Sequence, residues 1–327
     1  MELQNKENKI TIFGGNLVFL ICILLLMSVG SVVQSIDLNS GILITEFLLI
    51  AAPAFIYTLI KRDSIRRVFR FNKLSITDVF LVAAIFLSGY FVAIFINILG
   101  NIIVSLFGQL LPNPVPFAEN SSQYMLYILL FAGSAGICEE ILFRGLVMRS
   151  YEKLGMWKSI GLSSVLFGIM HLNVQNLLGP MFLGVLLGYV VYKTDSIFAG
   201  MLGHFINNAV SVSLGYVIMN LPFYKNMDIH AAQSGVNTLS LIVTAVLFGI
   251  IAVFAGAIMI FAMMALNERS KGRQVETQSI GLGSMLKNIR VSWPIYAGVL
   301  VFLYWAVNAL FFISTGTSLL KLFFGGM

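Results

Sequence analysis

Cys138-Glu139-Glu140-Ile141-Leu142-Phe143-Arg144-Gly145 (CEEILFRG, residues 138–145) places two adjacent carboxylates and a guanidinium in one of the least polar runs of the chain. What they do depends on the solvent around them. Of the 327 residues, 58% are hydrophobic and 10% charged, and the mean hydropathy is +0.93. Ordinary soluble domains are about 45–50% apolar and about 25% charged. A water-soluble fold of this size could not hide so much apolar surface, so the chain reads as an integral membrane protein.

Working outward from 138–145, apolar segments fall at roughly 17–35, 42–60, 79–108, 124–148, 159–175, 180–192, 196–219, 239–266 and 292–316. About 20 residues of helix cross the hydrocarbon core. The fifth and sixth segments are short and are separated by Gly179 and Pro180, so nine spans is the working count and eight the alternative. The first segment reads as a retained helix and not as a cleaved leader, because it has full spanning length and no clear small-residue cleavage site follows it. The expected fold is an all-α polytopic bundle in three parts. Residues 1–78 form a two-helix extension with a basic loop, 79–219 a core, and 220–327 the C-terminal helices joined by the polar loop 267–290. Cys22 and Cys138 lie in separate apolar segments and suggest no disulfide framework.

The loop Lys61–Lys73 holds six basic residues. Alternating sides from there, one side collects every basic residue except Lys225 and Lys321. This asymmetry, and not nucleic-acid binding, accounts for the net charge of +6. It predicts a cytoplasmic N-terminus.

Ionisable residues within spans are costly and usually face the protein interior. Glu139 lies ten residues before Arg149, His171 13 after Lys158, and His204 11 after Lys193. At 1.5 Å per residue, all three come out about 15–20 Å from their basic-side anchors, in a common layer. Glu140 and Arg144 share a helix face and can pair, leaving Glu139 pointing about 100° away. Phe167 sits one turn from His171, and Asn208 one turn from His204. Asn207 is expected to bond between helices, and His230 has no evident role. Gly161, Gly184 and Gly188 are expected to permit close helix contact.

A carboxylate, two imidazoles and an amide in a dry cavity suit hydrolysis. That reaction needs a water deprotonated, an oxyanion stabilised and a leaving amine protonated. Glu139 is the candidate base, His171 the group that holds the water, and His204 with Asn208 the oxyanion donors. The alternative is zinc on Glu139, His171 and His204 with a fourth position open. No HExxH occurs. The metal-free arrangement uses Asn208, and the sequence reveals no group to hold the far nitrogen of either histidine ring, as a metal ligand needs. No cofactor is therefore favoured.

These residues resemble the CAAX-protease and bacteriocin-processing family of intramembrane proteases (CPBP, formerly Abi), related to type II CAAX prenyl endopeptidase. The family's EExxxR motif is matched by Glu139–Arg144, FxxxH by Phe167–His171 and HxxxN by His204–Asn208. The resemblance implies an intramembrane endopeptidase with Glu139 as catalytic carboxylate, Glu140 and Arg144 as its support, His171 positioning water, and His204 and Asn208 forming the oxyanion site. It implies a membrane-associated peptide or protein substrate, lipidated in the prenyl branch. The compact loops resemble the bacterial members, which implies a bacterial cytoplasmic membrane. A non-enzymatic immunity or regulatory protein binding a sensor or peptide is the rival reading, and loss of a member of the Glu/His/His/Asn set would favour it. None is lost. A transporter would show inverted repeats or paired broken helices, and the sequence shows neither. Oligomeric state is not legible.

Overall fold

The computed structural model describes residues 9–111, 116–222, 237–271 and 281–316. Lys6, Lys225, His230, Arg273 and Lys321 fall outside them, with the middle of the 108–123 and 267–290 loops. Nine helices carry the described fold: α1 Ile12–Ile36, α2 Leu38–Ile60, α3 Ile76–Ser105, α4 Ser121–Leu154, α5 Met156–Met170, α6 Leu178–Thr194, α7 Ile197–Asn220, α8 Thr238–Arg269 and α9 Ile289–Thr315. Eight are long and apolar enough to cross a membrane, counting the turn at Val174–Asn176 with α6. No strand occurs among the described residues.

Local chemistry sets the helix starts. Thr11, Asp37 and Asn120 accept hydrogen bonds from the backbone amides of Gly14, Ser40 and Gln123. Asn237 and Ser240 form a capping box. Each satisfies an amide that has no partner within its helix. Gly155, at φ 94°, separates α4 from α5 in a conformation that glycine adopts without steric cost.

α5 departs from the expected segment 159–175. It stops at Met170, and its 15 residues span about 22 Å, short of the roughly 30 Å hydrocarbon core. The cause is local. Leu172 takes φ 47°, and the Asn173 side chain accepts from the amides of Gln175 and Asn176, which turns the chain. Neighbours satisfy the backbone polar groups of this turn, as apolar surroundings demand. Asn97 donates to the Gln175 carbonyl (3.0 Å) and accepts from the Gly179 amide (3.1 Å). The Gln175 side chain pairs with both backbone groups of Leu111.

α5 and α6 therefore form a hairpin, and its two open ends meet. Arg70 pairs with Glu152 before α5 and with Asp195 after α6 (Nε–Oδ1 2.9 Å). Arg269 at the end of α8 bonds Asp78 at the start of α3 (3.0 Å). The loops assigned to the basic side thus gather at one end of the bundle. The α5–α6 crossing is close: a Cβ on Gly184 would lie 2.9 Å from the Ser164 Cα, and one on Gly188 3.1 Å from Ile160. Gly161 does not serve this purpose, since a Cβ there would meet nothing within 4 Å. Phe19, Phe86, Phe143 and Phe167 are fully buried at the centre. Asn16 of α1 holds α9 through the Val291 carbonyl (3.0 Å) and accepts from Tyr151 of α4. Cys22 and Cys138 are free and buried.

Candidate active site

α4 is an α-helical turn, Ala135–Glu140, between two wider π-helical stretches, Ile128–Ser134 and Ile141–Val147. Such stretches leave carbonyls able to accept from neighbouring helices. Phe131 accepts from Asn208 Nδ2 of α7 (2.8 Å), and Phe143 from Ser163 Oγ of α5 (3.2 Å). The turn between them presents both glutamates.

Glu140 and Arg144 are completely buried and pair at 2.9 Å. Glu140 Oε1 also meets His204 Nδ1 at 3.1 Å. Arg144 Nη2 donates to the Gly184 carbonyl (3.1 Å), and its guanidinium lies 4.5 Å from the centre of the Phe167 ring. Phe167 stands edge-on to both imidazoles, 5.0 Å from His171 and 5.7 Å from His204 between centroids. α7 comes close enough for this because residue 200 is glycine: a Cβ there would lie 2.5 Å from Glu140 Oε2.

Glu139 is held differently. Its side chain is 14% exposed, and its Oε2 is buried without a hydrogen-bond partner, 3.9 Å from His204 Nε2. That separation is too long for a direct hydrogen bond. His171 caps the end of α5 and bonds the Phe167 carbonyl through Nδ1 at 2.8 Å. A carbonyl only accepts, so Nδ1 carries the proton, and the Nε2 of neutral His171 is an acceptor. His204 Nδ1, facing a carboxylate, is assigned a proton by the same logic. Its Nε2 accepts when the ring is neutral and donates when the ring is charged.

His171, His204, Asn207 and Asn208 share a cavity of about 280 Å³ with Tyr90, Ile94 and Asn97 of α3 and with Pro180 and Leu183 of α6. Glu139 adjoins this cavity through His204. A groove of about 490 Å³ between α1 and α9 is lined by Leu24, Met27, Ser28, Leu300, Val301 and Tyr304 and offers no carboxylate or imidazole. Asn208, not Asn207, makes the interhelical bond to Phe131, while Asn207 donates to Asn208 Oδ1 (3.0 Å). One N–H of the Asn208 amide is therefore committed and one remains.

Each histidine has the Nδ1 partner that the sequence did not reveal, an arrangement that would also suit metal ligands. Among the described residues no group of three His, Cys, Asp or Glu side chains is placed to hold a metal ion. Glu139, His171 and His204 as they stand do not fit a zinc site.

Sequence reading passed over Glu46. It lies in α2, is 8% exposed, and has a buried Oε2 without a hydrogen-bond partner. The stretch Thr45–Ala51 packs against Ala135–Glu140, bringing Glu46 within electrostatic reach of Glu139. A lone carboxylate in the apolar run Ile44-Thr45-Glu46-Phe47-Leu48 was the available signal.

Residues 121–210 match the family model described as "Type II CAAX prenyl endopeptidase Rce1-like". The matched stretch runs from the start of α4 into α7 and contains Glu139, Glu140, Arg144, Phe167, His171, His204 and Asn208. No curated protein and no solved structure matches the chain. Over residues 121–210 the chain thus matches a CPBP-family, Rce1-like CAAX-protease domain, set in a bundle of apolar helices and consistent with intramembrane peptidase activity in general.

Proposed function

From an Rce1-like domain inside a helical bundle as premise, we propose that this protein is an intramembrane endopeptidase. It would hydrolyse a peptide bond in a membrane-associated peptide or protein by glutamate-activated water. The observation that carries this reading is the contrast between the two adjacent glutamates. Both keep a buried Oε2 without a hydrogen-bond partner, but Glu140 is held through Oε1 by Arg144 and His204, whereas Glu139 Oε2 faces the Nε2 of His204 at 3.9 Å.

In this reading Glu139 takes a proton from water while His171 Nε2 accepts the water's other hydrogen bond. The oxygen bonds to the scissile carbonyl carbon, and charge builds on the carbonyl oxygen. Charged His204 and the uncommitted N–H of Asn208 donate to that oxyanion. As the C–N bond breaks, Glu139 returns its proton to the leaving amine, which balances the step. Glu140 and Arg144 do not touch substrate: they orient the His204 ring. The cavity beside His171 and His204 is mainly apolar toward α3, which suits an apolar or lipidated peptide segment. The N-terminus would be cytoplasmic, as the charge asymmetry predicts.

A comparison of membrane peptides from cells carrying wild-type and Glu139→Gln protein tests this. Cleaved ends present only with the wild type support the proposal and identify the substrate. Identical peptide sets at equal protein levels refute it.

A further inference from the structure

The cavity beside His171 and His204 has a direction. α3 and α7 both start at the end of the bundle that carries the basic loops. The Ile197 amide at the start of α7 donates to the Arg70 carbonyl (3.0 Å), and Arg269 bonds Asp78 near the start of α3. On α3 the cavity lining lies within residues 90–98 and on α7 within residues 204–211, so both walls run away from that end. Asn176, Gly179 and Pro180 complete the lining from the closed end of the α5–α6 hairpin, whose open ends Arg70 holds.

Burial follows the same direction. Toward the basic end the walls close on each other. Phe86 is fully buried, a Cβ on Gly203 would run into its ring, and a Cβ on Gly89 would lie 2.7 Å from Leu186 Cδ1. Beyond them stand the buried Glu140–Arg144 pair and the Arg70 contacts. On α7 the last buried residue is His204, and none from there to Asn220 is buried. His171, Asn176 and Ser211 are exposed. The cavity is thus closed toward the basic loops and open at the opposite end. Among the described residues its lining contains no Lys, Arg, Asp or Glu. It offers neutral polar groups instead, with Asn176, Asn207 and Ser211 on the open side of the two imidazoles. A backbone unwound for hydrolysis within a membrane needs partners for its N–H and C=O groups. Amides and hydroxyls supply both donors and acceptors, whereas a charged side chain would meet no counter-charge among them.

We propose that the cavity receives its substrate from the end of the bundle opposite the basic loops, and that this substrate is an extended, uncharged stretch of polypeptide at the external boundary of a membrane segment. The substrate class rests on the peptidase reading above, and the word external on the cytoplasmic placement of the basic loops. Asn176, Asn207 and Ser211 receive the backbone, and the apolar residues of α3 receive the side chains.

Single cysteines read the direction without any substrate. Cys22 and Cys138 are buried, so the wild type serves as the unlabelled control. Asn176→Cys and Ser211→Cys each place a thiol at the open end, and either one suffices if the other fails to fold. Arg66→Cys places a thiol in the exposed part of the basic loop. A charged, membrane-impermeant methanethiosulfonate added to intact cells should modify Asn176→Cys and Ser211→Cys protein and leave Arg66→Cys protein untouched until the cells are opened. Modification of Arg66→Cys protein in intact cells overturns the proposal. So does modification of the other two only after opening, or by a lipid-soluble maleimide alone. In the comparison of membrane peptides from wild-type and Glu139→Gln cells, cleaved ends should map to the external ends of spans, in stretches without charged residues. Ends at the cytoplasmic boundary contradict the proposal. Identical peptide sets would refute the peptidase reading, while the labelling would still decide where the cavity opens.

Discussion

Two adjacent residues on one helical turn meet opposite environments. Glu140 is locked: Arg144, His204 and the closely approaching Gly200 surround it, and Arg144 is in turn fixed by the Gly184 carbonyl and the Phe167 ring. Glu139, one residue earlier, shares the buried unpartnered Oε2 but stands 3.9 Å from His204 Nε2, outside hydrogen-bond range. A step of about 100° around the helix separates a carboxylate paired with Arg144 from one that faces His204 Nε2. The difference between them is direction, not residue type.

The largest effect should come from the free member. Glu139→Gln preserves shape and removes the proposed base, so cleavage should fall by about 10²–10⁴-fold with yield and melting temperature unchanged. Comparable loss of fold would erase the distinction between the two glutamates. Arg144→Ala attacks the locked member. It leaves Glu140 buried without its cation and should cost about 3–5 kcal/mol, read as a drop in melting temperature in detergent before any kinetic effect is considered. A variant that melts normally would show that Glu140 is not held by charge. Asn208→Ala probes the boundary between holding and reacting. Loss of an oxyanion donor lowers kcat by about 10²–10³, whereas loss of the bond to Phe131 alone costs only about 1 kcal/mol of stability. A fall in stability without a fall in kcat would place Asn208 with the locked group.

The smallest effect belongs to the loop after α2, far from both glutamates. Burial alone would push the Asp63 carboxyl up, but bonds from Arg67 and from the amides of Lys9 and Ser64 outweigh it and hold the group below its ordinary range. Its contribution is present above the unfolded value, about 3.9, and is lost as pH falls through the lower folded value. Asp63→Asn should therefore lower the melting temperature slightly at neutral pH, match the wild type at acid pH, and so flatten the acid limb of melting temperature against pH.

What the sequence made legible was local. Glu140–Arg144, Phe167–His171 and His204–Asn208 are each one turn apart on a helix, and the basic residues sit in short loops, so spacing alone displayed them. Contacts between helices were invisible. The link from Glu140 to His204 spans 64 positions, and nothing at position 46 announces its packing against position 139. The early end of α5 escaped for a different reason: the turn at Leu172 and Asn173 lies inside a continuous apolar run, where hydropathy does not change. The interhelical bond expected of Asn207 is made by Asn208 instead, because neighbouring residues on a helix cannot be assigned to a partner before the partner helix is placed.

The central claim is that Glu139 activates a water that attacks the peptide bond directly. A single turnover of purified wild-type protein in H₂¹⁸O tests it. The account predicts one ¹⁸O in the new carboxylate of the first-turnover product and none in Glu139. Label in the Glu139 carboxyl with an unlabelled first product would show that Glu139 attacks the substrate itself, and would contradict the account.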